Sequence, residues 1–425
     1  MRVKLDYGKS GLEVTVPDQN LVGILGLRPQ PPLPDADAAV ARSLEAPLGC
    51  PPLCQIARGR RDACVVVCDI TRPVPNPVIL KPLLRLLEEA GIARERITIL
   101  VATGIHRPNE GAELEGILGP QIPHEYRVVN HFARDLESHR LLGTSHTGAP
   151  IYVDERYCRA DLKVVVGLVE PHFMAGFSGG RKLICPGISA LETVRAFHAT
   201  HLLEHPAADT GVVERNPVHA MALEVARAAG VDFSVNVTID EERRLTGVFA
   251  GALEAAWEAG VAHAREAATA SIDAPVDVVV TSSAGYPLDA TYYQAVKGMV
   301  GALPIVKPGG TVILAARLSE GIGSAEFTRL LLESDDLEAL MARIRQPEHF
   351  VIDQWEVVEL AKALAKAAVL CYTEGLDADT LRRLYVTPIA SVEAGIASAL
   401  ERHGPNARLA VIPKGPYVMP TLRGA

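Results

Sequence analysis

The sequence lacks the features that direct a protein to nucleic acid or to a membrane. Its 425 residues carry a formal net charge of −9 and contain no basic tract, whereas affinity for nucleic acid depends on lysine and arginine neutralising phosphates. No uninterrupted apolar run is long enough to span a bilayer. The first residues, MRVKLDYGKSGLEVTV, lack the apolar core of a signal peptide. We therefore expect a cytoplasmic protein that binds neither nucleic acid nor membrane.

Cysteine is sparse and unfavourably spaced for a metal site. The pairs in CPPLC and CVVVC lie four residues apart, rather than the three of a zinc knuckle or redox motif. Cys64 and Cys68 fall in a predicted buried strand, where cysteine usually acts as a small hydrophobic residue. We expect the seven cysteines to be reduced and structural.

Neither common nucleotide-binding loop is present. The stretch FSGGRK, residues 177–182, lacks the spacing and the GK[ST] ending of a P-loop, and it is not GxGxxG. Nevertheless, Gly179 and Gly180 allow the backbone to approach a ligand closely, and Arg181 and Lys182 add positive charge there. The alternative is a turn whose basic residues face solvent. The stretch by itself does not decide between the two.

Strands alternate with helices in both halves of the chain. With 48% hydrophobic and 22% charged residues, the composition is that of a soluble globular protein. The alternation predicts an α/β fold of two domains, each with a mostly parallel sheet flanked by helices, and a ligand site in the cleft between them. We expect domains at 1–271 and 272–407, and a tail at 408–425 that returns to the first domain.

Polar clusters follow three predicted strands of the first half. They run from Asp69 to Arg72, from Thr103 to Arg107 and from Glu170 to Lys182. Ligands of open α/β sheets bind outside the carboxyl ends of the strands, so the three clusters should converge on one crevice. In DITRP, Arg72 can grip a carboxylate with two parallel hydrogen bonds and Asp69 can accept hydrogen bonds from a ribose, or the two can form a local ion pair.

Several histidines are candidates for chemistry. His106 and His172 directly follow strands, where an imidazole is well placed to move protons near neutral pH, although a structural role is the alternative. If LETVRAFHATHLLEH is one helix, His198, His201 and His205 share a face. One such row cannot place three imidazoles on a single ion, so we expect one metal ligand from it.

The second half offers side chains of less specific pattern. Gln294 and Lys297 are three residues apart in YYQAVKG and are therefore neighbours on a helix, beside Tyr293. Trp355, in DQWEV, is one of two tryptophans. The alternative for Gln294 and Lys297 is that they are polar residues of a helix surface without a function. The alternative for Trp355 is a place in the core.

Six motifs in this order resemble the nickel-pincer lactate racemase family over nearly the whole chain. They are DITRP, ATGIHRP, EPHFMAGFSGGRK, LETVRAFH, YYQAVKG and DQW. The resemblance implies a nickel-pincer nucleotide, the nickel complex of pyridinium-3-thioamide-5-thiocarboxylic acid mononucleotide, attached covalently to Lys182 with His198 as the nickel ligand. It implies that His106 and His172 are the catalytic bases and that Arg72 binds the substrate carboxylate. The remaining residues are implied as cofactor contacts (Asp69, Thr71, Ser178, Gly179, Gly180 and Arg181) or as substrate contacts and pocket walls (Gln294, Lys297, Tyr293 and Trp355).

The resemblance also implies a reaction, the racemisation of a 2-hydroxy acid. Hydride and a proton leave the substrate together and return to the other face of a flat 2-keto acid, so two bases are needed. Phe173, Met174 and Phe177 near His172 favour a small, lactate-like substrate. Malate is second, with Arg107 or Lys297 as the extra cation. Enzymes that make the cofactor are then required for maturation.

Two other functions compete with this interpretation. One is a nicotinamide-dependent 2-hydroxy acid dehydrogenase, against which the missing GxGxxG counts. The other is a non-catalytic protein that binds a nucleotide cofactor. That protein would need no pair of bases.

Overall fold

The architecture alternates strands and helices, as the sequence predicts. The computed structural model describes residues 1–334, 336–346 and 348–424. Its strands are β1 Arg2–Leu5, β2 Leu12–Thr15, β3 Leu21–Ile24, β4 Ala63–Cys68, β5 Ile97–Ala102, β6 Arg127–Asn130, β7 His139–Thr144, β8 Pro150–Asp154, β9 Leu162–Leu168, β10 Pro171–His172, β11 Gly176–Phe177, β12 Phe233–Ile239, β13 Leu245–Gly251, β14 Thr269–Ile272, β15 Val276–Ser282, β16 Val306–Ala315, β17 Ala367–Tyr372, β18 Thr387–Pro388, β19 Leu409–Ile412 and β20 Met419–Leu422.

Eight of the sixteen described α-helices begin at a residue whose side chain caps the helix. The Thr291 side chain, for example, accepts a hydrogen bond from the backbone N–H of Gln294, which satisfies a donor that the helix itself leaves open. The α-helices are α1 Ala36–Glu45, α2 Leu53–Ala57, α3 Asn76–Glu89, α4 Ala112–Leu118, α5 Ile122–Glu125, α6 Glu155–Arg159, α7 Leu191–Phe197, α8 Thr200–Leu203, α9 Pro217–Ala229, α10 Leu253–Ala268, α11 Tyr292–Ala302, α12 Ala325–Leu332, α13 Leu337–Ile344, α14 Gln354–Lys366, α15 Ala378–Arg383 and α16 Val392–His403. None of these described helices is long and apolar enough to cross a membrane.

The first large sheet carries the predicted polar clusters. Its six strands lie in the order β13-β12-β9-β4-β5-β6, and all neighbours are parallel except β12 and β13. Every residue of β4 is buried, because helices cover both faces of a parallel sheet and leave no solvent-facing side. Cys64 and Cys68 are part of this core, and all seven cysteines are free.

The second large sheet is wholly parallel. Its strands lie in the order β18-β17-β16-β15-β19-β3. Strand β3, near the start of the chain, thus pairs with β19, near its end. The first residues therefore contribute to the second sheet, although the domain bounds proposed from the sequence place them in the first domain.

The end of the chain returns towards the first half. Strand β20 pairs in parallel with β14. Met419 packs in a small apolar cluster with Val169, Phe177 and Trp257. The two halves are thereby tied together by chain that crosses between them.

Candidate active site

Two strand ends of the first sheet meet through a histidine and a carboxylate. Asp69 follows β4 and His106 follows the neighbouring β5. The His106 Nδ1–H donates to Asp69 Oδ2 over 2.7 Å, since a carboxylate can only accept. In the neutral ring the lone pair is then on Nε2, and the side chain is half-exposed (51%). Sequence reasoning predicted that these strand ends converge, but it missed this pair.

Hydrogen bonding keeps the Asp69 carboxylate charged. Burial alone would raise the pKa of Asp69, but hydrogen bonds from His106 and Thr71, with Arg72 nearby, hold it below its usual value. The Thr71 hydroxyl donates to Asp69 Oδ1 over 2.6 Å. The structure thus gives Asp69 and Thr71 partners in the protein itself, where the resemblance implies contacts with a cofactor.

Arg72 forms an ion pair with the third cluster. Its Nε lies 3.1 Å from Glu170 Oε1, just beyond the end of β9. One alternative predicted for DITRP was a local ion pair between Asp69 and Arg72. Arg72 instead pairs with Glu170, which is distant in the sequence. Glu170 was not among the predicted site residues. Its position directly after a strand, two residues before His172, was the available signal.

His172 and Lys182 are in direct contact. Two backbone N–H groups, those of Met174 and Ala175, donate to His172 Nδ1 over 3.3 Å. The other ring nitrogen, Nε2, lies 2.7 Å from Lys182 Nζ. Because Nδ1 accepts, Nε2 carries the proton of the neutral ring and donates it to the amine. This arrangement requires an uncharged lysine.

The electrostatic surroundings favour the same state of Lys182. Burial, reinforced by nearby positive charges, lowers the pKa of the Lys182 ammonium well below its usual value of 10.5. The ionisable groups that surround it include His172, His198, Arg72, Arg181, Lys297 and Cys185. Lowering the pKa of a lysine increases the share of the neutral amine, which is the nucleophilic form.

We expect this lowered pKa to be visible in chemical labelling. The neutral amine is the form that acetic anhydride modifies, so the labelling of Lys182 in the folded protein should reach half its maximum well below pH 10.5. Quantitative peptide mapping across a pH series measures that midpoint. The same peptide in urea is the control, because unfolding removes the surrounding charges. Equal midpoints in both conditions would contradict the neutral amine.

Among the described residues, His198 has a hydrogen-bond partner at only one of its two ring nitrogens. Its Nδ1–H donates to the carbonyl of Val194 over 3.0 Å, and burial lowers its pKa to about 3. The ring stacks on Trp355 of the second half, with ring centroids 4.3 Å apart. A backbone hydrogen bond at one nitrogen with the other left free is the arrangement of metal-ligating histidines.

The predicted histidine row is wrong. Helix α7 ends at Phe197, and α8 begins at Thr200, so His198 lies between two short helices and not on one long helix. His201 and His205 are exposed and leave the site to His198. In the described parts of the chain, no group of three His, Cys, Asp or Glu side chains is placed to hold a metal ion.

Helices α11 and α14 bring the second half to the site. The Trp355 Nε1–H donates to the Tyr293 hydroxyl over 2.9 Å, so the two aromatic residues form one wall. The Lys297 ammonium donates to Gln294 Oε1 and lies 5.3 Å from the centre of the Phe173 ring. Burial, partly offset by Glu356, lowers the pKa of Lys297 to about 8. The predicted site in the cleft between the halves is therefore formed by side chains of both.

The glycine pair is required by packing. Gly180 has a φ of +49°, and a Cβ there would lie 2.9 Å from Cδ1 of Trp257. Its N–H donates to Asn236 Oδ1 over 2.9 Å. The Ser178 hydroxyl, implied as a cofactor contact, donates instead to the Leu168 carbonyl over 2.7 Å. These contacts fix the backbone just before Lys182.

We expect Gly180→Ala to destabilise the fold by about 1–3 kcal/mol, because the new methyl group overpacks against Trp257. Urea unfolding followed by circular dichroism measures the change. Gly59→Ala is the matched control, since Gly59 has a φ of +78° and a Cβ there would have no atom within 4 Å. It carries the backbone strain without the clash. Equal losses in both variants would contradict the packing explanation.

Arg181 is buried and contacts the protein itself. The sequence predicts positive charge beside a ligand, but the guanidinium is buried (1% exposed) and lies 4.0 Å from the Trp257 ring centre. Its Nη2 donates to the carbonyls of Ala175 and Phe177 over 2.8 and 3.0 Å. These contacts give Arg181 a structural role in the loop, and its contact with a cofactor stays a prediction.

Comparisons with known proteins identify the family of the chain. Residues 7–211 match the family described as Lactate racemase N-terminal domain, and residues 272–419 match Lactate racemase C-terminal domain. The lactate racemase of Thermoanaerobacterium thermosaccharolyticum is 34% identical over 98% of this chain and 98% of its own. That of Lactiplantibacillus plantarum is 34% identical over 97% of this chain and 98% of its own.

Solved structures extend the agreement to the fold. The lactate racemase apoprotein of Thermoanaerobacterium thermosaccharolyticum superposes with a TM-score of 0.93, covering 99% of this chain and all of that one, at 34% identity. A Thermotoga maritima protein shares the fold at 19% identity, with a TM-score of 0.71 over 93% of this chain and 100% of its own. The chain belongs to the lactate racemase family and is an enzyme, an isomerase.

Proposed function

We propose that this enzyme racemises a short 2-hydroxy acid, with lactate as the first candidate, and that it uses a nickel-pincer nucleotide attached to Lys182. The two relatives named lactate racemase support the substrate. One observation carries the rest of the proposal. A neutral Lys182 amine touches His172 in the same site in which His198 keeps a free Nε2.

The residues present fit such a cofactor. Attachment requires a nucleophilic amine, which the surroundings of Lys182 provide. Among the described residues the protein has no metal site of its own, so His198 would supply a single imidazole and the sulfur atoms of the cofactor the other ligands. When bound, the nickel-pincer nucleotide supplies a hydride acceptor. Enzymes that synthesise it would be needed for maturation.

The protein side chains would bind the acid and move its proton. Arg72 would hold the carboxylate and fix the point about which the flat 2-keto acid turns. His106 presents Nε2 with a lone pair, and Asp69 stabilises the ring when it takes up the hydroxyl proton. His172, whose Nε2–H faces the Lys182 amine in this structure, would serve the opposite face as the proton donor. Lys297 would add a donor from the second half.

The charges around the cleft favour a substrate with one carboxylate. Arg107, one of the two cations considered for malate, pairs with Glu113 through two hydrogen bonds of 2.7 and 2.6 Å and is 69% exposed. Its charge is therefore already matched. The remaining candidate, Lys297, is bound to Gln294. We therefore keep lactate first and malate second.

The test is to produce the protein beside the cofactor-synthesising enzymes and to follow each enantiomer of lactate by chiral chromatography. We expect both to approach an equal mixture, with about one nickel per chain, as a single site requires. Turnover of free nicotinamide dinucleotide without racemisation would favour the dehydrogenase. An adduct and nickel without turnover of any 2-hydroxy acid would favour the binding protein.

A further inference from the structure

The Glu170 carboxylate has no part in the proposed chemistry, yet it lies inside the site. It approaches Arg72 from the Nε side, at 3.1 Å, and the two side chains are 18% and 26% exposed. A partly buried ion pair is screened less by salt than an exposed one. Its influence on Arg72 is therefore larger than that of an ordinary surface pair.

The backbone of Glu170 is held rigidly. The Ser178 N–H donates to the Glu170 carbonyl over 2.9 Å, and the Glu170 N–H donates to the Ser178 hydroxyl oxygen over 3.0 Å. Ser178 is itself fixed by its bond to Leu168 and by the Trp257 Nε1–H, which donates to the Ser178 carbonyl over 2.8 Å. The Glu170 side chain therefore extends from a fixed backbone position beside the loop that carries Lys182.

The contacts of Arg72 leave part of its guanidinium available. Glu170 lies on the Nε side, and Nη1 donates to the Thr71 carbonyl over 3.2 Å. A guanidinium has five N–H donors, so the end formed by Nη1 and Nη2 retains donors for a carboxylate. An arginine held from one edge loses less rotational freedom when it binds with the other.

We propose that Glu170 is a positioning residue for the substrate, which orients Arg72 so that its terminal nitrogens meet the carboxylate of a 2-hydroxy acid. This inference rests on the proposed function, in which Arg72 binds that carboxylate. Glu170 acts through Arg72 and does not touch the reacting atoms. Its loss should therefore weaken binding and leave the chemical step nearly unchanged.

The experiment compares Glu170→Gln and Glu170→Ala with the wild-type holoenzyme. We expect the KM for lactate to rise about tenfold in Glu170→Ala, and less in Glu170→Gln, with kcat within about twofold. Glu113→Gln is the matched control, because it removes one charge from the neighbouring Arg107 pair and should leave KM unchanged. A lower KM in Glu170→Gln would show that Glu170 competes with substrate, and an unchanged KM in both variants would also overturn the inference.

A double-mutant cycle separates positioning from general stability. Lactate binding to the holoenzyme, measured by calorimetry, is compared for Glu170→Gln, Arg72→Ala and the combination. If Glu170 acts through Arg72, it has no further effect once Arg72 is gone. An equal loss in both backgrounds would refute the inference. If the wild-type enzyme binds lactate but does not racemise any 2-hydroxy acid, the proposed function fails and the cycle still tests the pair.

Discussion

The Lys182→Ala variant will carry no covalent adduct when it is made beside the cofactor-synthesising enzymes, whereas the wild-type chain will gain one adduct mass. The reason is specific to this lysine. Its amine contacts His172 over 2.7 Å, and burial among positive charges lowers its pKa, which favours the neutral, nucleophilic form. Intact-mass measurement, followed by peptide mapping of residues 177–191, detects the adduct.

The matched control is Lys297→Ala, which removes the other amine that faces this cleft. Lys297 donates to Gln294 and also has a lowered pKa, of about 8, so its amine is the natural competitor for attachment. We expect this variant to keep the full adduct. An adduct in Lys182→Ala, or its loss only in Lys297→Ala, would place the attachment elsewhere.

Replacing either of the two proposed bases, His106 or His172, should slow racemisation strongly in both directions. In the proposed mechanism each turnover removes a proton on one side of the substrate and returns one on the other, so neither base can substitute for its partner. We expect His106→Ala and His172→Ala each to lower kcat by about 10²–10⁴-fold, the usual contribution of a positioned acid or base. The rate from each enantiomer of lactate measures the loss.

The adduct and nickel content of both variants must be measured first, because His172 touches Lys182. His146→Ala is the control. This histidine is exposed, pairs with Glu224 and lies outside the site, so it should keep full activity. Adduct-bearing His106→Ala or His172→Ala with wild-type rates would remove that histidine from the mechanism.

Local pattern was enough to predict the elements and the place of the site. The run ACVVVC forms the fully buried β4, and polar residues after β4, β5 and β9 meet at one edge, because parallel strands end on the same side of a sheet. The ion pair of Arg72 with Glu170 and the hydrogen bond of His106 with Asp69 are the contacts that join them. The roles of the individual residues remain proposals.

Contacts between residues that lie far apart in the chain could not be predicted from the sequence. Nothing near Arg181 indicates that its charge would be buried against Trp257, because both the loop and α10 must be placed before the contact exists. The prediction of one long helix through His198 was wrong for a similar reason. The apolar periodicity continues past Phe197, but helix α7 ends there. The His198 ring instead stacks on Trp355 from the second half.

The pairing of β3 with β19 has a consequence for synthesis of the chain. Leu21 pairs with Leu409, so strand β3 must wait until its partner strand β19 has been synthesised. At about 5–20 residues per second, that wait is on the order of tens of seconds. The first sheet, whose strands all lie between these two, can assemble during translation. The second sheet can be completed only once residues 409–412 have left the ribosome, and the short strand β3 stays without this partner until then.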